Sequence, residues 1–100
     1  MHPKNMTRIV GRTKYSTETA TLLASDEYWD GSNWERHGRN QFLYRTPGGS
    51  YFEVNLTQWQ GERDTLTPLS QDEAIALYES LQEQIVPFEQ AFPGVEVKEG

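Results

Sequence analysis

The sequence predicts an α+β fold, in which a small antiparallel sheet of three to four strands contains a central hairpin and a C-terminal helix packs on one face. Three observations lead to this prediction: an alternating stretch closed on a Pro-Gly-Gly turn, a helix-capping signal followed by apolar residues at helical spacing, and a length of 100 residues. This length corresponds to one domain. We expect it to span residues 8–93, between a loose leader (1–7) and a tail (94–100).

The N-terminal part of the domain is expected to contribute strands beside the hairpin. Arg8 to Val10 predicts a short strand that Gly11 ends, and residues 16–20 form a polar cluster suited to a turn. Ala20 to Tyr28 alternates as a strand does. A short helix starting at Ser16 or Thr17 is the alternative, because Ala and Leu favour helices. We favour the strand, since an isolated hairpin is marginal in water.

The long polar stretch from Trp29 to Asn40 is predicted to be a loop, and it includes Trp34, Arg36 and Arg39. Two interpretations remain open for it. The tryptophans fold back onto the core as a lid, or the loop is a recognition surface, since Trp and Arg are common interface anchors.

The central hairpin is predicted over Gln41 to Trp59. Its second arm alternates, with Phe52, Val54 and Leu56 on one face and Tyr51, Glu53, Asn55 and Thr57 on the other. This period of two is typical of a strand with one face on the core and one in water. In the turn, Pro47 presets φ, and Gly48 or Gly49 supplies the positive φ that follows.

A C-terminal helix is predicted to start at Ser70, because Glu73 three residues later completes a capping box. Apolar residues then form one stripe: Ala74, Tyr78, Leu81 and Ile85. Asp72, Glu79 and Glu83 lie off this stripe and are expected to face solvent. Pro87 ends or kinks the helix near Val86, and one further turn through Phe88 and Phe92 is expected.

The composition excludes several classes of protein. The chain has no Cys, which excludes disulfides and thiolate metal sites. No apolar run approaches the roughly 18–20 residues that span a bilayer, and the N-terminus lacks the apolar stretch of a signal peptide. We therefore expect a cytoplasmic protein without a membrane partner.

The charge is unevenly distributed along the chain. Its net value is −6, with seven Lys/Arg against five Asp/Glu in residues 1–50 and two against ten in residues 51–100. An acidic half disfavours DNA or an anionic membrane as a partner and favours a basic protein surface. The alternative is that the acidic surface only keeps the protein soluble.

No catalytic pattern is present in the sequence. The two histidines, His2 and His37, are far apart, and no metal-ligand spacing or nucleophile motif accompanies them. Gly48-Gly49 lacks the following Lys of a phosphate-binding loop. We therefore expect a protein that is not an enzyme and that needs no metal or cofactor.

Two binding hypotheses follow from the residues. In the first, Asp72, Glu79 and Glu83 contact a basic surface of another protein, with Trp34 and Arg36 as anchors. In the second, Arg and aromatic residues bind single-stranded nucleic acid by charge and stacking. The set for the second hypothesis is Arg36, Arg39, Arg45, Tyr44 and Tyr51.

Four motifs carry a resemblance to known proteins: Gly11 to Ala20, Phe42 to Thr46, Gly49 to Phe52, and Thr67 to Ala74. Over roughly residues 8–82 the chain resembles a group of small proteins carried by bacteria, phages and other mobile elements. This resemblance implies an inhibitor of a host defence complex, such as an anti-CRISPR protein, acting in a bacterial host cell. Its expected partner is a CRISPR–Cas subunit with a basic surface. An exposed edge strand, at Arg8 to Val10 or in the tail, is able to pair two copies, so we expect a monomer or homodimer.

Overall fold

The computed structural model describes residues 5–25, 39–57, 63–81 and 83–96. Within them, seven strands and two helices follow one another along the chain. The strands are β1 (Thr7–Val10), β2 (Thr13–Ser16), β3 (Thr21–Ser25), β4 (Arg39–Arg45), β5 (Tyr51–Thr57), β6 (Thr65–Leu69) and β7 (Glu83–Gln84). The helices are α1 (Gln71–Ser80) and α2 (Phe88–Ala91).

A five-stranded antiparallel sheet is the centre of the fold, in the order β6-β5-β4-β3-β7. The mixture of sheet and helix agrees with the expected α+β class, although strands predominate. The sheet is larger than the predicted three to four strands, because β6 and β7 extend it at its two edges. β6 contains Pro68, which has no N–H to donate and is tolerated in a strand at the edge of a sheet.

The predicted central hairpin is confirmed as β4 and β5, paired from Arg39↔Thr57 to Arg45↔Tyr51. Its turn is closed by two backbone hydrogen bonds, from Thr46 N–H to the Ser50 carbonyl (2.7 Å) and from Gly49 N–H to the Thr46 carbonyl (2.9 Å). Of the two glycines, Gly49 has the positive φ, at 92°. The three-residue loop with its left-handed residue in third place is a common hairpin connection.

Both faces of the sheet are covered, which corrects the prediction of one buried and one wet face. On one face Tyr51 joins the core formed with α1 and α2, which includes Leu43, Ala74, Tyr78 and Phe92. On the other face Phe42, Tyr44, Phe52, Val54, Leu56 and Leu66 form a second core. The predicted alternation of β5 is present, but its Tyr51 face was assigned to water and instead contacts the helices.

Strands β1 and β2 form a separate two-stranded hairpin. Its turn has positive φ at both central residues, Gly11 (56°) and Arg12 (68°), as in a type I′ turn. The Tyr15 ring meets Phe52 edge-on with 5.7 Å between ring centroids, and Arg8 Nη1 donates to the Leu66 carbonyl (2.7 Å). The hairpin therefore lies on the second core, beside β5 and β6. Met6, in the predicted leader, also belongs to this unit, since its N–H donates to Thr17 Oγ1 (2.9 Å).

Strand β3 confirms the strand interpretation for the described part of Ala20 to Tyr28; residues 26–28 lie outside the described residues. The pairing of β3 with β4 shifts by one residue between Leu22 and Ala24, as in a β-bulge. Leu23 and Ala24 thereby both join the helix-side core. The Leu23 carbonyl accepts hydrogen bonds from the N–H groups of Ile85 (2.9 Å) and Val86 (3.1 Å).

Helix α1 begins as predicted. The capping box is formed by hydrogen bonds from Glu73 N–H to Ser70 Oγ (3.1 Å) and from Ser70 N–H to Glu73 Oε1 (2.8 Å). The helix ends at Ser80, however, so the prediction of an end near Val86 is wrong. Helix α2 confirms the further turn after Pro87.

The early end of α1 has a physical reason in the sheet. Glu83 and Gln84 pair with Ser25 and Ala24 as β7, and this pairing requires an extended backbone. Leu81, the C-cap of α1, is already extended, with φ of −81° and ψ of 141°. Ala74, Tyr78 and Leu81 of the predicted apolar stripe are buried, whereas Ile85 is 47% exposed. The stripe thus ends where the helix ends.

Candidate functional site

Two of the predicted acidic residues share one side of α1. Asp72 and Glu79 are both exposed, and a separation of seven residues places them almost in line along a helix. Ala76, also exposed, lies between them. We call Asp72, Ala76 and Glu79 the acidic helix stripe. It is the exposed counterpart of the side on which Ala74 and Tyr78 are buried.

Glu83 does not belong to this stripe, which corrects the predicted set of three. It is in β7, and its pairing through Ser25 to Phe42 places it on the sheet face opposite α1. Its neighbour Gln84 is on the α1 side, where Gln84 Nε2 donates to the Tyr78 carbonyl (3.2 Å). The structure therefore separates Glu83 from Asp72 and Glu79 because the chain leaves the helix before Glu83.

All charged residues in the segment from Asp64 to Val97 are acidic, because this segment contains no Lys, Arg or His. Its acidic residues on α1, β7, α2 and the segment that follows are all exposed: Asp72, Glu73, Glu79, Glu83, Glu89 and Glu96. A surface with carboxylates alone creates a negative potential that attracts basic groups.

Among these acidic residues, Glu79 has no evident role in stabilising its helix. It lies in the last turn of α1, and no basic residue accompanies it there. The carbonyl end of a helix carries a partial negative charge, so a carboxylate is unfavourable at this position. Asp72, by contrast, lies in the first turn, where the helix dipole favours it.

Two further ionisable groups have pKa values shifted by their surroundings. The hydrogen bonds of Ser70 hold the pKa of Glu73 below its ordinary value, so this carboxylate serves the helix cap. Burial raises the pKa of Tyr78, and the negative charge of Glu89 adds to the effect. The Tyr78 hydroxyl donates to the Val86 carbonyl (2.7 Å). Both groups thus have structural roles.

The two tyrosines of the nucleic-acid hypothesis are buried on opposite faces of the sheet. Tyr44 is 4% exposed and stacks on Phe52 with ring centroids 5.0 Å apart. Tyr51 is 5% exposed, stacks on Phe92, and donates its hydroxyl hydrogen to the Ala91 carbonyl (3.0 Å). Neither ring is accessible to a base, because both side chains are buried.

The basic residues of that hypothesis are only partly described. Arg45 is half-buried, and its Nε is buried without a hydrogen-bond partner. For Arg39 the structure describes the start of β4 and not the side chain. Trp34 and Arg36 lie outside the described residues, so their predicted role as anchors stays a prediction, as does the choice between lid and recognition surface for the loop.

One exposed feature was missed by the reasoning from sequence: the β1–β2 hairpin and its cations. Arg8, Arg12 and Lys14 are exposed, and no acidic residue occurs between Lys4 and Glu18. Ile9 is 68% exposed beside them. The signal was present in this run of basic residues, but which of them are exposed depends on how the hairpin packs on the sheet.

The described residues contain neither a group suited to hold a metal ion nor a helix suited to cross a membrane. In residues 5–25, 39–57, 63–81 and 83–96, no group of three or more His, Cys, Asp or Glu is arranged to hold a metal ion. Neither helix in these ranges has the length and apolar character needed to cross a bilayer.

No protein-family model, curated protein or solved structure matches this chain. The resemblance to small proteins of mobile elements therefore stands on its four sequence motifs alone. In the structure these motifs correspond to the β1–β2 hairpin, the two arms of the central hairpin, and the β6–α1 junction.

Proposed function

We propose that this protein is a non-enzymatic interaction module that binds a basic surface of another protein through the acidic helix stripe. The observation that carries the proposal is Glu79, an exposed carboxylate at the end of α1 where the helix dipole disfavours it. A residue that goes against the local preference of its own helix is expected at a functional site. Asp72 adds a second carboxylate in line with it.

The concrete role that we propose is inhibition of a host defence complex such as CRISPR–Cas by a protein of a mobile element. The resemblance described above supports this role. Carboxylates on a rigid helix present negative charge to basic groups that otherwise hold phosphates, and such charge complementarity accelerates association at low salt. Trp34 and Arg36 are the further contacts that we propose for this partner.

A pull-down from bacterial lysate tests the proposal. The tagged protein should retain a protein partner, and this retention should persist after nuclease treatment. The partner should be released as salt is raised, because dissolved ions screen charge interactions beyond about 8–10 Å at physiological ionic strength and over shorter distances at higher salt. Retention that disappears with nuclease would instead favour the nucleic-acid alternative.

Glu79→Lys distinguishes a binding role from a structural one. The change removes a carboxylate from the carbonyl end of α1, so we expect the free energy of unfolding to rise by about 0.3–1 kcal/mol. Partner retention should nevertheless fall. Glu18→Lys, which reverses an exposed charge in the turn after β2, is the matched control and should leave retention near its original level. Equal retention by Glu79→Lys and the original protein would contradict the proposal.

A further inference from the structure

Large apolar side chains are exposed at only two places in the described residues. Ile9 (68% exposed) and Val10 (37%) lie at the end of β1, and Ile85 (47%) follows β7. Single exposed apolar residues are common on proteins. Here, however, the charged side chains near each of the two places all have the same sign.

The first place is basic. Lys14 is the cross-strand partner of Ile9, so these two side chains share one face of the hairpin, whereas Val10 lies on the other face with Arg8 and Tyr15. Arg8 is also basic, but its Nη1 donates to the Leu66 carbonyl. We call Ile9 and Lys14, with Arg12 of the adjoining turn, the hairpin patch.

The second place is acidic. Glu83 precedes Ile85 by two residues, the spacing that places side chains of an extended chain on one face, and both are exposed. We call Glu83 and Ile85 the β7 edge patch. It differs from the acidic helix stripe, because Glu83 is on the sheet face opposite α1.

The two patches cannot meet within one chain. The hairpin is held at the β6 and β5 side by Arg8 and Tyr15, while β7 is the opposite edge of the five-stranded sheet. Four strand spacings of about 4.8 Å separate β6 from β7, or roughly 19 Å. Any contact between the patches must therefore join two molecules.

We propose that copies of this protein associate head to tail, with the hairpin patch of one copy on the β7 edge patch of the next. The argument is double complementarity: Lys14 and Arg12 face Glu83, while Ile9 removes Ile85 from water. A phosphate backbone would match the cations of the hairpin, but it offers no apolar surface for Ile9. A second copy of the protein offers both the opposite charge and an apolar surface.

The association is heterologous, because different patches of the two copies meet. Each copy in a pair keeps one patch free, so further copies add as concentration rises unless a ring closes. The contact of one short hairpin is smaller than the roughly 800 Å² per partner of a stable complex. We therefore expect weak association that high salt reverses.

Sedimentation velocity of the purified full chain tests the proposal. In 50 mM salt the weight-average mass should rise with protein concentration up to about 1 mM, and in 500 mM salt the apparent association constant should fall about tenfold or more, because the facing charges are screened. A chain that stays monomeric throughout the low-salt series would overturn the proposal.

Two double variants sharpen the test. Ile9→Thr with Lys14→Gln disables the hairpin patch, and Ile85→Thr with Glu83→Gln disables the β7 edge patch. Each variant alone should be monomeric, but an equimolar mixture should form a 1:1 heterodimer and nothing larger, because one functional patch of each kind remains. Glu18→Gln is the matched control and should associate as the original protein does.

The fold of each variant is verified by an unchanged far-UV circular dichroism spectrum and thermal midpoint. Self-association that persists when only the β7 edge patch is disabled would show that hairpins pair with each other, and it would overturn the proposal. A mixture that stays monomeric would do the same. Arg12→Asn gives an independent variant: Asn tolerates the positive φ of this turn, so the thermal midpoint should be kept or raised while association weakens.

Discussion

Tyr51 connects the central hairpin to the last helix through two contacts of one side chain. Its ring lies 5.1 Å from that of Phe92, and its hydroxyl donates to the Ala91 carbonyl in a buried hydrogen bond of 3.0 Å. The ring contact depends on apolar area and shape, whereas the hydrogen bond depends on one oxygen. The two contributions are separable by removing that oxygen.

Tyr51→Phe should lower the free energy of unfolding by about 1–2 kcal/mol, because the buried Ala91 carbonyl loses its donor while the ring stays in place. Urea denaturation followed by circular dichroism measures this. Tyr15→Phe is the matched control: no hydrogen bond of the Tyr15 hydroxyl is present in the described residues, and a change within about 0.5 kcal/mol is expected. Equal losses in the two variants would contradict this account of Tyr51.

At the scale of elements, the turn of the central hairpin depends on the backbone conformation of one glycine. Gly49 has φ of 92°, while Gly48 lies outside the left-handed region. A Cβ at either position would meet nothing closer than an ordinary contact, 3.5 Å from Arg45 Nη2 at Gly49 and 3.9 Å from Thr46 Oγ1 at Gly48. The two positions therefore differ in backbone conformation and not in the space available for a side chain.

Gly49→Ala should destabilise the protein by about 1–2 kcal/mol, since an L-residue pays that cost in the left-handed region. Gly48→Ala should be neutral or stabilising by up to about 1 kcal/mol, because it restricts the unfolded chain. Denaturation of the two variants side by side provides the comparison. Similar losses from both would indicate that crowding, and not φ, is the cause.

The capping box of α1 makes the stability of the helix depend on pH. Hydrogen bonds from Ser70 hold the pKa of Glu73 below its ordinary value of 4.5. A carboxyl group with a lowered pKa in the folded state stabilises the protein fully above the unfolded value, and this stabilisation is lost as pH falls through the folded value.

Glu73→Gln keeps a side-chain oxygen for the cap but does not titrate. The original protein should be more stable than this variant at pH 7, and the difference should shrink as pH is lowered below 4.5. Denaturation of both proteins at several pH values measures the difference and cancels the contribution of other carboxyl groups. A difference that is independent of pH would show that the Glu73 charge does not stabilise the cap.

At the scale of the whole molecule, one sheet separates two cores. Phe92 belongs to the core on the α1 side and Val54 to the core on the β1–β2 side, and both are fully buried. Because the same strands β3 to β5 contribute side chains to both cores, loss of either core removes the support of the sheet. We therefore expect one cooperative unfolding transition.

Val54→Ala and Phe92→Leu should each lower the free energy of unfolding by about 2 kcal/mol. The two losses should add within about 0.5 kcal/mol, because the residues lie on opposite faces without contact. Urea curves from far-UV circular dichroism and from near-UV circular dichroism, which reports the packing of aromatic side chains, should coincide for all variants. Separate midpoints for the two probes would mean that the cores unfold independently.

The central hairpin, the start of α1 and the turn of α2 could be predicted because their signals are local. The alternation of β5, the Pro-Gly-Gly turn and the Ser70–Glu73 pair each depend on residues within a few positions of one another. The same holds for the strand at Arg8 to Val10. Of the predicted acidic set, Asp72 and Glu79 share a side of α1 for the same reason, since helical spacing alone places them together.

The sequence by itself thus determined the α+β class and the acidic character of the C-terminal half, through short-range patterns and composition. Only the tertiary structure decided that α1 ends at Ser80, that Glu83 joins the sheet, and that Tyr44 and Tyr51 are buried on opposite faces. These outcomes depend on pairing between β3 and β7 and on what covers each face of the sheet. Such contacts join residues far apart in the chain, and their free energy exceeds the local preference of any one segment.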